Sequence, residues 1–442
     1  MFPQQHRGIH GIYILIQTKL LLIKTPSEHI VWTVFFSQKK ERPLNLSDCI
    51  TMKLKIVRGA LALLISCTAI LGAADYCIDD SYSYRADSGV PANTLVRLES
   101  EQNFVAADTR EDVSYCASLL GVLPIKHVSV QRFDDVHLCP GGMPFGAKML
   151  TDGLIVVGFS DVDCTSGSPH PASDAGIQVK DIILKINGTP VGTSENMAKL
   201  VAASEGRPIT ITVRRNDAEF SVSVTPSLSN TDQVYKTGMW VRDNTAGIGT
   251  VTYVDPKSGA FAGLGHGICD SETGSLMPLS RGIVIDVTIS GIQKGQSGVP
   301  GELKGHFSSG KIGTLLGNTH AGVYGVMTAL PQSISDKTAI PIALKNEIHD
   351  GEATLLSTLD EGGICSYTVN IRKLKNSLDN KNMEITVTDP ALIVKTGGIV
   401  QGMSGSPLIQ EGKLIGAVTH VLINDPAKGY GIYIENMLTA AE

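Results

Sequence analysis

The chain has 442 residues, with 37 Lys and Arg against 43 Asp and Glu, for a net charge of −6. That length suits two to four domains at roughly 100–200 residues each. The acidic balance, with aromatic residues at only 5%, argues against a nucleic-acid partner. The 46 glycines, alongside abundant Val, Ile and Thr, favour a turn-rich, mainly β protein.

Residues 1–51 carry short apolar runs, Ile12–Ile16 and Leu20–Ile23, broken by Lys19 and Lys24, with no sustained period. At Met52 the pattern changes: Lys53, Lys55 and Arg58 precede the mostly apolar Gly59–Ala74. A positive start and an apolar core of this kind make a secretory signal or signal-anchor over residues 52–75. Met52 is therefore expected to be the true start, with 1–51 an over-extended reading frame, and the bulk of the chain is expected outside the cytoplasm. Six cysteines follow this segment, Cys77, Cys116, Cys139, Cys164, Cys269 and Cys365, spread widely and without C-x-x-C spacing. That spread gives no metal site, and the six are expected to be buried free thiols.

Residues 76–137 form a linker and a small β module. Ser81–Pro91 is polar and turn-like, while Thr94–Leu98 and Ile125–Val130 alternate as strands do. No chemistry is expected in this unit.

Residues 138–228 differ in character. The loop Gly141-Gly142-Met143-Pro144-Phe145-Gly146 precedes the strand Gly153–Phe159. Then come Ala175-Gly176-Ile177, Asp181-Ile182-Ile183-Leu184-Lys185-Ile186-Asn187-Gly188, a helix near Ser194–Ser204 and the strand Pro208–Arg214. The pattern A-G-I-x-x-x-D-x-I-L-x-I-N-G resembles a PDZ domain. PDZ domains add a peptide beside a strand and hold its carboxylate in a loop of amides. The resemblance implies that Met143, Pro144, Phe145 and Gly146 form that loop, and that Leu154 and Val156 lie on the augmenting strand.

Residues 229–442 are β-rich again. Ala246–Val254 reads as a strand, and a turn at Asp255-Pro256 leads to Gly265-His266-Gly267. Far downstream lies Gly402-Met403-Ser404-Gly405-Ser406-Pro407, followed by two short strands about the turn Gln410-Glu411-Gly412. A serine between glycines presents an unobstructed Oγ and lets two amides approach a developing oxyanion. The donors nominated here are the amides of Gly402 and Ser404. A histidine flanked by glycines supplies the base that such a serine needs. The serine motif resembles the nucleophile region of chymotrypsin-like serine peptidases, so the expected fold is a double β-barrel.

Three blocks make a more specific resemblance: G-I-G-T-x-T-Y-V-D-P with G-H-G-I, T-D-P-A-L with T-G-G-I-V-Q-G-M-S-G-S-P, and G-A-V-T-H-V with N-D-P and G-Y-G-I. Together they resemble the SpoIVB-type serine peptidases of endospore formation. This resemblance implies a catalytic Ser404 and His266, with Asp389 as third member and Asp270 and Asp286 as rivals. It implies no cofactor. Its partners would be the chain itself, cut near Ser81–Glu99, and a membrane-bound regulator of an intramembrane protease, whose cleavage releases pro-sigma-K processing. The setting would be the space between forespore and mother-cell membranes, with the N-terminal anchor in a membrane. The alternative is a non-catalytic PDZ scaffold with a peptidase-like domain. HtrA-type proteases place the PDZ domain after the peptidase domain, whereas here it is expected wholly before it.

Overall fold

The computed structural model describes residues 46–86, 95–100, 113–165, 167, 169–216, 218–328, 331–375 and 380–442. Residues 1–45, and the expectation of an over-extended start that falls on them, lie outside the described residues. Helix α1 (Leu46–Cys77) is 32 residues long, twice the expected apolar core. Its stretch Lys53–Cys77 is long and apolar enough to cross a membrane, by length and composition.

The small β module is a four-stranded sheet of β1 (Ser81–Arg85), β2 (Val96–Ser100), β3 (Val113–Leu119) and β4 (Leu123–Phe133), in the order β1-β4-β3-β2. Val128 and Val130 point inward with Ala117, and His127, just before Val128, is exposed. Ser83 donates to Glu435 at 2.8 Å and Arg85 pairs with Glu347 at 2.9 Å, fastening the module to the C-terminal domain. Of the expected cleavage region Ser81–Glu99, Ser81–Arg85 and Val96–Glu99 are strand, and 87–94 lie outside the described residues.

After β5 (His137–Pro140) comes β6 (Pro144–Phe159), the strand on which the architecture turns. Its second half enters a PDZ-like unit with α2 (Pro171–Asp174), β7 (Ile182–Ile186), β8 (Thr189–Pro190), α3 (Ser194–Ala202), β9 (Ile209–Arg215) and β10 (Ala218–Val224). Thr193 caps α3 by accepting the Asn196 amide at 3.1 Å, which ends the preceding turn and starts the helix. Leu154, Val156, Ile177, Ile183, Ile186, Met197, Ile211 and Val213 make this unit's core.

The first half of β6 belongs elsewhere. After the short pair β11 (Ser227–Leu228) and β12 (Tyr235–Lys236), the chain forms β13 (Met239–Val254), β14 (Ala260–Gly263), β15 (Leu279–Gln293), β16 (Glu302–Thr319) and β17 (Gly322–Met327). Pairing runs β6-β15-β16-β17-β14-β13, and β13 pairs back onto β6 with Gly249 opposite Phe145, closing a ring. Met143, Phe145, Ala147 and Met149 fill that ring with Val251, Phe261, Val284, Leu315 and Val323. Phe145 is fully buried, edge-on to Phe261 with ring centroids 5.9 Å apart, a burial worth about 2–3 kcal/mol.

After α4 (Gln332–Ser335) and β18 (Ile340–Pro341), a second barrel closes from β19 (Gly351–Thr358), β20 (Ile364–Lys373), β21 (Met383–Val387), β22 (Pro407–Gln410), β23 (Lys413–Leu422) and β24 (Asp425–Tyr433). Helix α5 (Pro390–Thr396) precedes β22, and α6 (Ile434–Thr439) ends the chain. The protein is thus mainly β, with a PDZ region and two peptidase-like barrels.

One strand of the first barrel lies across the boundary expected between 228 and 229. The first barrel takes one strand from Pro144–Leu150, before the PDZ-like unit, and the rest from after it. The PDZ-like unit is therefore an insertion between two neighbouring strands of a barrel. It does not precede the peptidase fold as a separate bead.

Candidate active site

The two barrels meet at the turn Gln401–Ser406, which enters β22, and at the loop that leaves β14. Gly402 and Gly405 have φ of 95° and 93°, in the left-handed region that favours glycine. At Gly405 a Cβ would lie 2.0 Å from the Thr250 carbonyl and 2.4 Å from the Leu264 amide, so the close approach of β13 excludes any side chain. Strand β13 holds the turn from below. Thr250 donates its amide to the Ser404 carbonyl at 2.9 Å and its hydroxyl to the Gly402 carbonyl at 2.8 Å. Thr252 donates its hydroxyl to the Gly405 carbonyl at 2.8 Å.

With those carbonyls occupied, the amides divide cleanly. Met403, Gly405 and Ser406 donate to the carbonyls of Val400, Val418 and Met403 respectively. The amides of Gly402 and Ser404 donate to none of the described residues. Both residues are half-buried, while Met403 between them is fully buried. The Ser404 hydroxyl donates to the Thr419 carbonyl at 2.9 Å.

His266 follows Leu264 and Gly265, whose φ of 67° and 66° turn the chain out of β14. Gly265 packs under the same strand: a Cβ there would lie 2.9 Å from Thr419 Cγ2. The His266 Nδ1 lies 3.0 Å from the Gly267 carbonyl. A carbonyl only accepts, so Nδ1 carries the hydrogen and Nε2 is left with a free lone pair. Burial lowers the pKa of His266 below the ordinary histidine value, with the Gly267 bond opposing it. His420, on β23 one residue past the carbonyl that holds Ser404, lies against His266 with ring centroids 5.1 Å apart and planes at 38°. Burial, then His266, then Lys381 bring the pKa of His420 down to about 4.

The aspartates are elsewhere. Asp389 is the N-cap of α5: Oδ1 accepts from the amides of Ala391 at 2.8 Å and Leu392 at 3.1 Å, and Oδ2 from Thr368 at 3.2 Å. Both oxygens are committed, and Pro390 at the first helical position completes an ordinary helix start. Asp270 is buried. Burial works to raise its pKa, and bonds from Thr273 and Glu272 together with the Arg242 charge outweigh that and lower it. Arg242 lies 2.7 Å from its Oδ2. Asp286 is exposed on β15. Among the described residues the histidine–carboxylate pairs are those of His137, His170 and His349, none of which involves His266.

The structure places the expected peptide-binding loop in the wall of the first barrel. All four of its residues are buried: Met143 lies just before β6 and accepts from the Val251 amide, while Pro144, Phe145 and Gly146 are strand, paired to Thr250–Ile248 on one side and, from Phe145 on, to β15 on the other. Phe145 and Gly146 lie between two paired strands and Pro144 has no N–H, so this stretch forms a barrel wall. Leu154 and Val156 are fully buried; Leu154 pairs with Ile183, the Val156 amide donates to Asp181, and Val156 pairs with Val241. The groove beside α3 is lined instead by this chain's own Met239, Trp240 and Val241, around a cavity of about 620 Å³ shared with Met197 and Val201. Among the described residues no disulfide joins the cysteines, and only Cys139 and Cys164 of the six are buried; Cys116 is half-buried, and Cys77, Cys269 and Cys365 are exposed.

Two antiparallel barrels, with the glycine-rich turn of Ser404 at their junction and His266 on the loop that leaves β14, define a protease-like fold carrying an inserted PDZ domain. Residues 233–438 match the family model described as SpoIVB peptidase S55, and residues 165–215 match a PDZ domain. The chain carries a SpoIVB peptidase S55 domain together with a PDZ domain. No curated protein matches the chain. Among solved structures, the PDZ domain of an SdrC-like protein from Listeria monocytogenes is similar at 16% identity, covering 20% of this chain and 87% of that one, with a TM-score of 0.17. The inactive form of the Rv3671c protease is similar at 14% identity, covering 44% and 82%, with a TM-score of 0.26. The thermostable serine protease AL20 from an extremophilic microorganism is similar at 12%, covering 44% and 91%, also at 0.26.

Proposed function

We propose that the chain is a serine endopeptidase of sporulation signalling, which cuts itself and a membrane-bound regulator of an intramembrane protease so that pro-sigma-K processing is released. Ser404 is the nucleophile and His266 the base. The observation that carries this reading is the uncommitted pair of amides, Gly402 and Ser404, on a turn whose Gly402, Ser404 and Gly405 carbonyls are held by β13.

The Ser404 hydroxyl first leaves the Thr419 carbonyl by rotation about χ1. Its oxygen then bonds to the substrate carbonyl carbon while its proton passes to His266 Nε2. The carbonyl π electrons move to oxygen, where the Gly402 and Ser404 amides stabilise the charge, a contribution of about 3–4 kcal/mol per lost donor in comparable sites. Collapse breaks the C–N bond, and His266 returns its proton to the leaving amine. Water repeats the sequence on the acyl-enzyme and restores Ser404.

Self-cleavage is expected within Ser81–Glu99, and the N-terminal apolar helix holds the chain at a membrane facing the intermembrane space. The test is self-processing of Met52–Glu442, wild type beside Ser404→Ala, with fragment ends read by mass spectrometry. Wild type shortening while the variant stays intact supports the reading. Equal shortening of both contradicts it.

A further inference from the structure

The two amides nominated for the oxyanion belong to peptide groups, and a trans peptide is planar with its N–H pointing opposite to its C=O. Whatever holds the Gln401 carbonyl therefore aims the Gly402 amide, and whatever holds the Met403 carbonyl aims the Ser404 amide. The Met403 carbonyl is held locally, accepting from the Ser406 amide at 2.9 Å within the turn itself. The Gln401 carbonyl is held from elsewhere. It accepts from the amide of Leu303 at 2.9 Å, and Leu303 lies on β16, a strand of the first barrel.

Leu303 stands at the foot of the hairpin that joins β15 to β16, and residues 294–301 of that hairpin are stitched to the second barrel. Glu302 and Gln401 form a parallel bridge, with the Gln401 amide donating to the Gly301 carbonyl at 2.8 Å. The Gly295 amide donates to the Thr396 carbonyl at 2.8 Å, and the Gly298 amide to the Ile423 carbonyl at 2.9 Å. Ser297 Oγ donates to the Asn424 carbonyl at 2.9 Å, and Lys294 Nζ to the Val394 carbonyl. The approach is close: a Cβ on Gly301 would lie 2.4 Å from the Gly295 nitrogen and 2.6 Å from Val400 Cγ1.

Leu303 also meets Gly402 directly. Its side chain is buried in the core of the second barrel with Ile399, Val400 and Met403. A Cβ on Gly402 would lie 3.0 Å from Leu303 Cβ and 3.2 Å from its Cδ1, so the glycine backbone rests on this side chain. Gly402 has a φ of 95°, and a glycine adopts either sign of φ at little cost. The Gln401–Gly402 peptide is therefore the joint of the turn that rotates most easily. Thr250 holds the peptide after it, through the Gly402 carbonyl. Both backbone groups of Gln401 bond to the hairpin, so the hairpin is what holds this joint.

We propose that the β15–β16 hairpin is a positioning element of the peptidase, with Leu303 the residue that aims the Gly402 amide, so that the oxyanion site is complete only while the hairpin is docked on the second barrel. This rests on the serine-peptidase reading above. One oxyanion donor is built into the serine turn, and the other is set by the first barrel. Leu303 touches neither substrate nor the transferred proton and acts through Gly402. With the hairpin undocked, the Gln401–Gly402 peptide turns over, and a carbonyl faces the developing negative charge where an amide should.

The test is the rate of Ser404 labelling by a fluorophosphonate, whose phosphoryl oxygen draws on the same two amides, as a function of reagent concentration and pH on the full chain. Wild type is compared with Leu303→Ala, Leu303→Met and the hairpin-tip variant Lys294→Met/Ser297→Ala, with circular dichroism and Tm verifying the folding of each. Leu303→Ala lowers the maximal rate about 10²-fold, the size of one lost oxyanion donor, while the half-saturating concentration holds. The acid limb of the pH profile stays in place, because His266 is untouched. Leu303→Met refills the contact with Gly402 and recovers most of the rate. The tip variant leaves the buried side chains intact, so it decides the matter where Leu303→Ala does not fold, and it lowers the same maximal rate with the same limb. A folded Leu303→Ala or a tip variant with the wild-type rate overturns the proposal, as does Leu303→Met performing no better than alanine. A loss confined to half-saturation, or one that comes with a moved acid limb, overturns it too. Absence of labelling in wild type at every pH overturns the peptidase reading itself, whereas a labelled wild type with unaffected variants overturns this inference alone.

Discussion

Thr250 donates its hydroxyl to the carbonyl of Gly402 at 2.8 Å, so a residue of the first barrel fixes the turn that opens the second. The same strand begins at Met239 beside helix α3 of the PDZ domain, and its Arg242 pairs with Asp270, four residues past His266. One sixteen-residue strand therefore touches the PDZ groove, the histidine loop and the serine turn.

Thr250→Val removes that hydroxyl and leaves the Gly402 carbonyl without its donor. Stability falls by about 1–3 kcal/mol, the cost of an unsatisfied buried acceptor. The turn loosens by a few tenths of an ångström, so kcat falls about tenfold while KM holds. Urea melts and initial rates on the same preparation check both.

Asp389 tests whether a residue is a cap or a catalyst. As the N-cap of α5, Asp389→Ala costs about 1 kcal/mol, and Asp389→Asn costs almost nothing because asparagine caps equally well. Both variants retain kcat. A triad aspartate replaced by asparagine would instead lose about 10⁴ in kcat. Rates for the two variants separate these outcomes.

Stability follows pH through His420. Its pKa is brought down to about 4 in the folded state against about 6.5 unfolded, so below pH 6.5 the unfolded chain binds the proton that the folded chain refuses. The contribution is complete above 6.5 and is lost as pH falls toward 4, at most about 3 kcal/mol. The urea midpoint of wild type falls across this window. His420→Phe removes that part of the slope.

The PDZ groove gives a kinetic prediction. Both edges of the strand through Leu154 and Val156 are taken, one of them by Val241 and its neighbours. A free peptide with an apolar C-terminus must displace Met239–Arg242 before it can bind. Association is then slower than the usual 10⁵ M⁻¹s⁻¹ or so for docking without rearrangement, and hydrogen exchange at 239–242 rises with peptide. Fast association with unchanged protection would contradict this.

The serine turn and the His266 loop were legible because local chemistry marks them. Gly402 and Gly405 sit where φ is positive, and Gly265 sits where a neighbouring strand leaves no room. The PDZ core was legible from the apolar run Ile182–Ile186 and from Ile209–Arg215, whose inward residues alternate. Strand β6 was not. It runs unbroken through two hydrophobic cores, and the change of core near Thr151–Gly153 leaves no punctuation beyond one glycine. Its barrel partner β13 lies some ninety residues on, beyond the reach of any local pattern. Asp389-Pro390 reads equally as a helix start or a triad member, and the structure adds that both carboxylate oxygens accept from backbone amides. His420 stands in the G-A-V-T-H-V block, but its contact with His266 was not legible, because it comes from a bulge and from a ring in the other barrel.

The central claim is that Ser404 is activated by His266, and the most direct measurement is the site and stoichiometry of covalent labelling by a fluorophosphonate at neutral pH, read by mass spectrometry. The account predicts one adduct per chain, on Ser404, and none within the same time on folded His266→Gln. An adduct on another residue, or equal labelling of Ser404 in the two proteins, would contradict it.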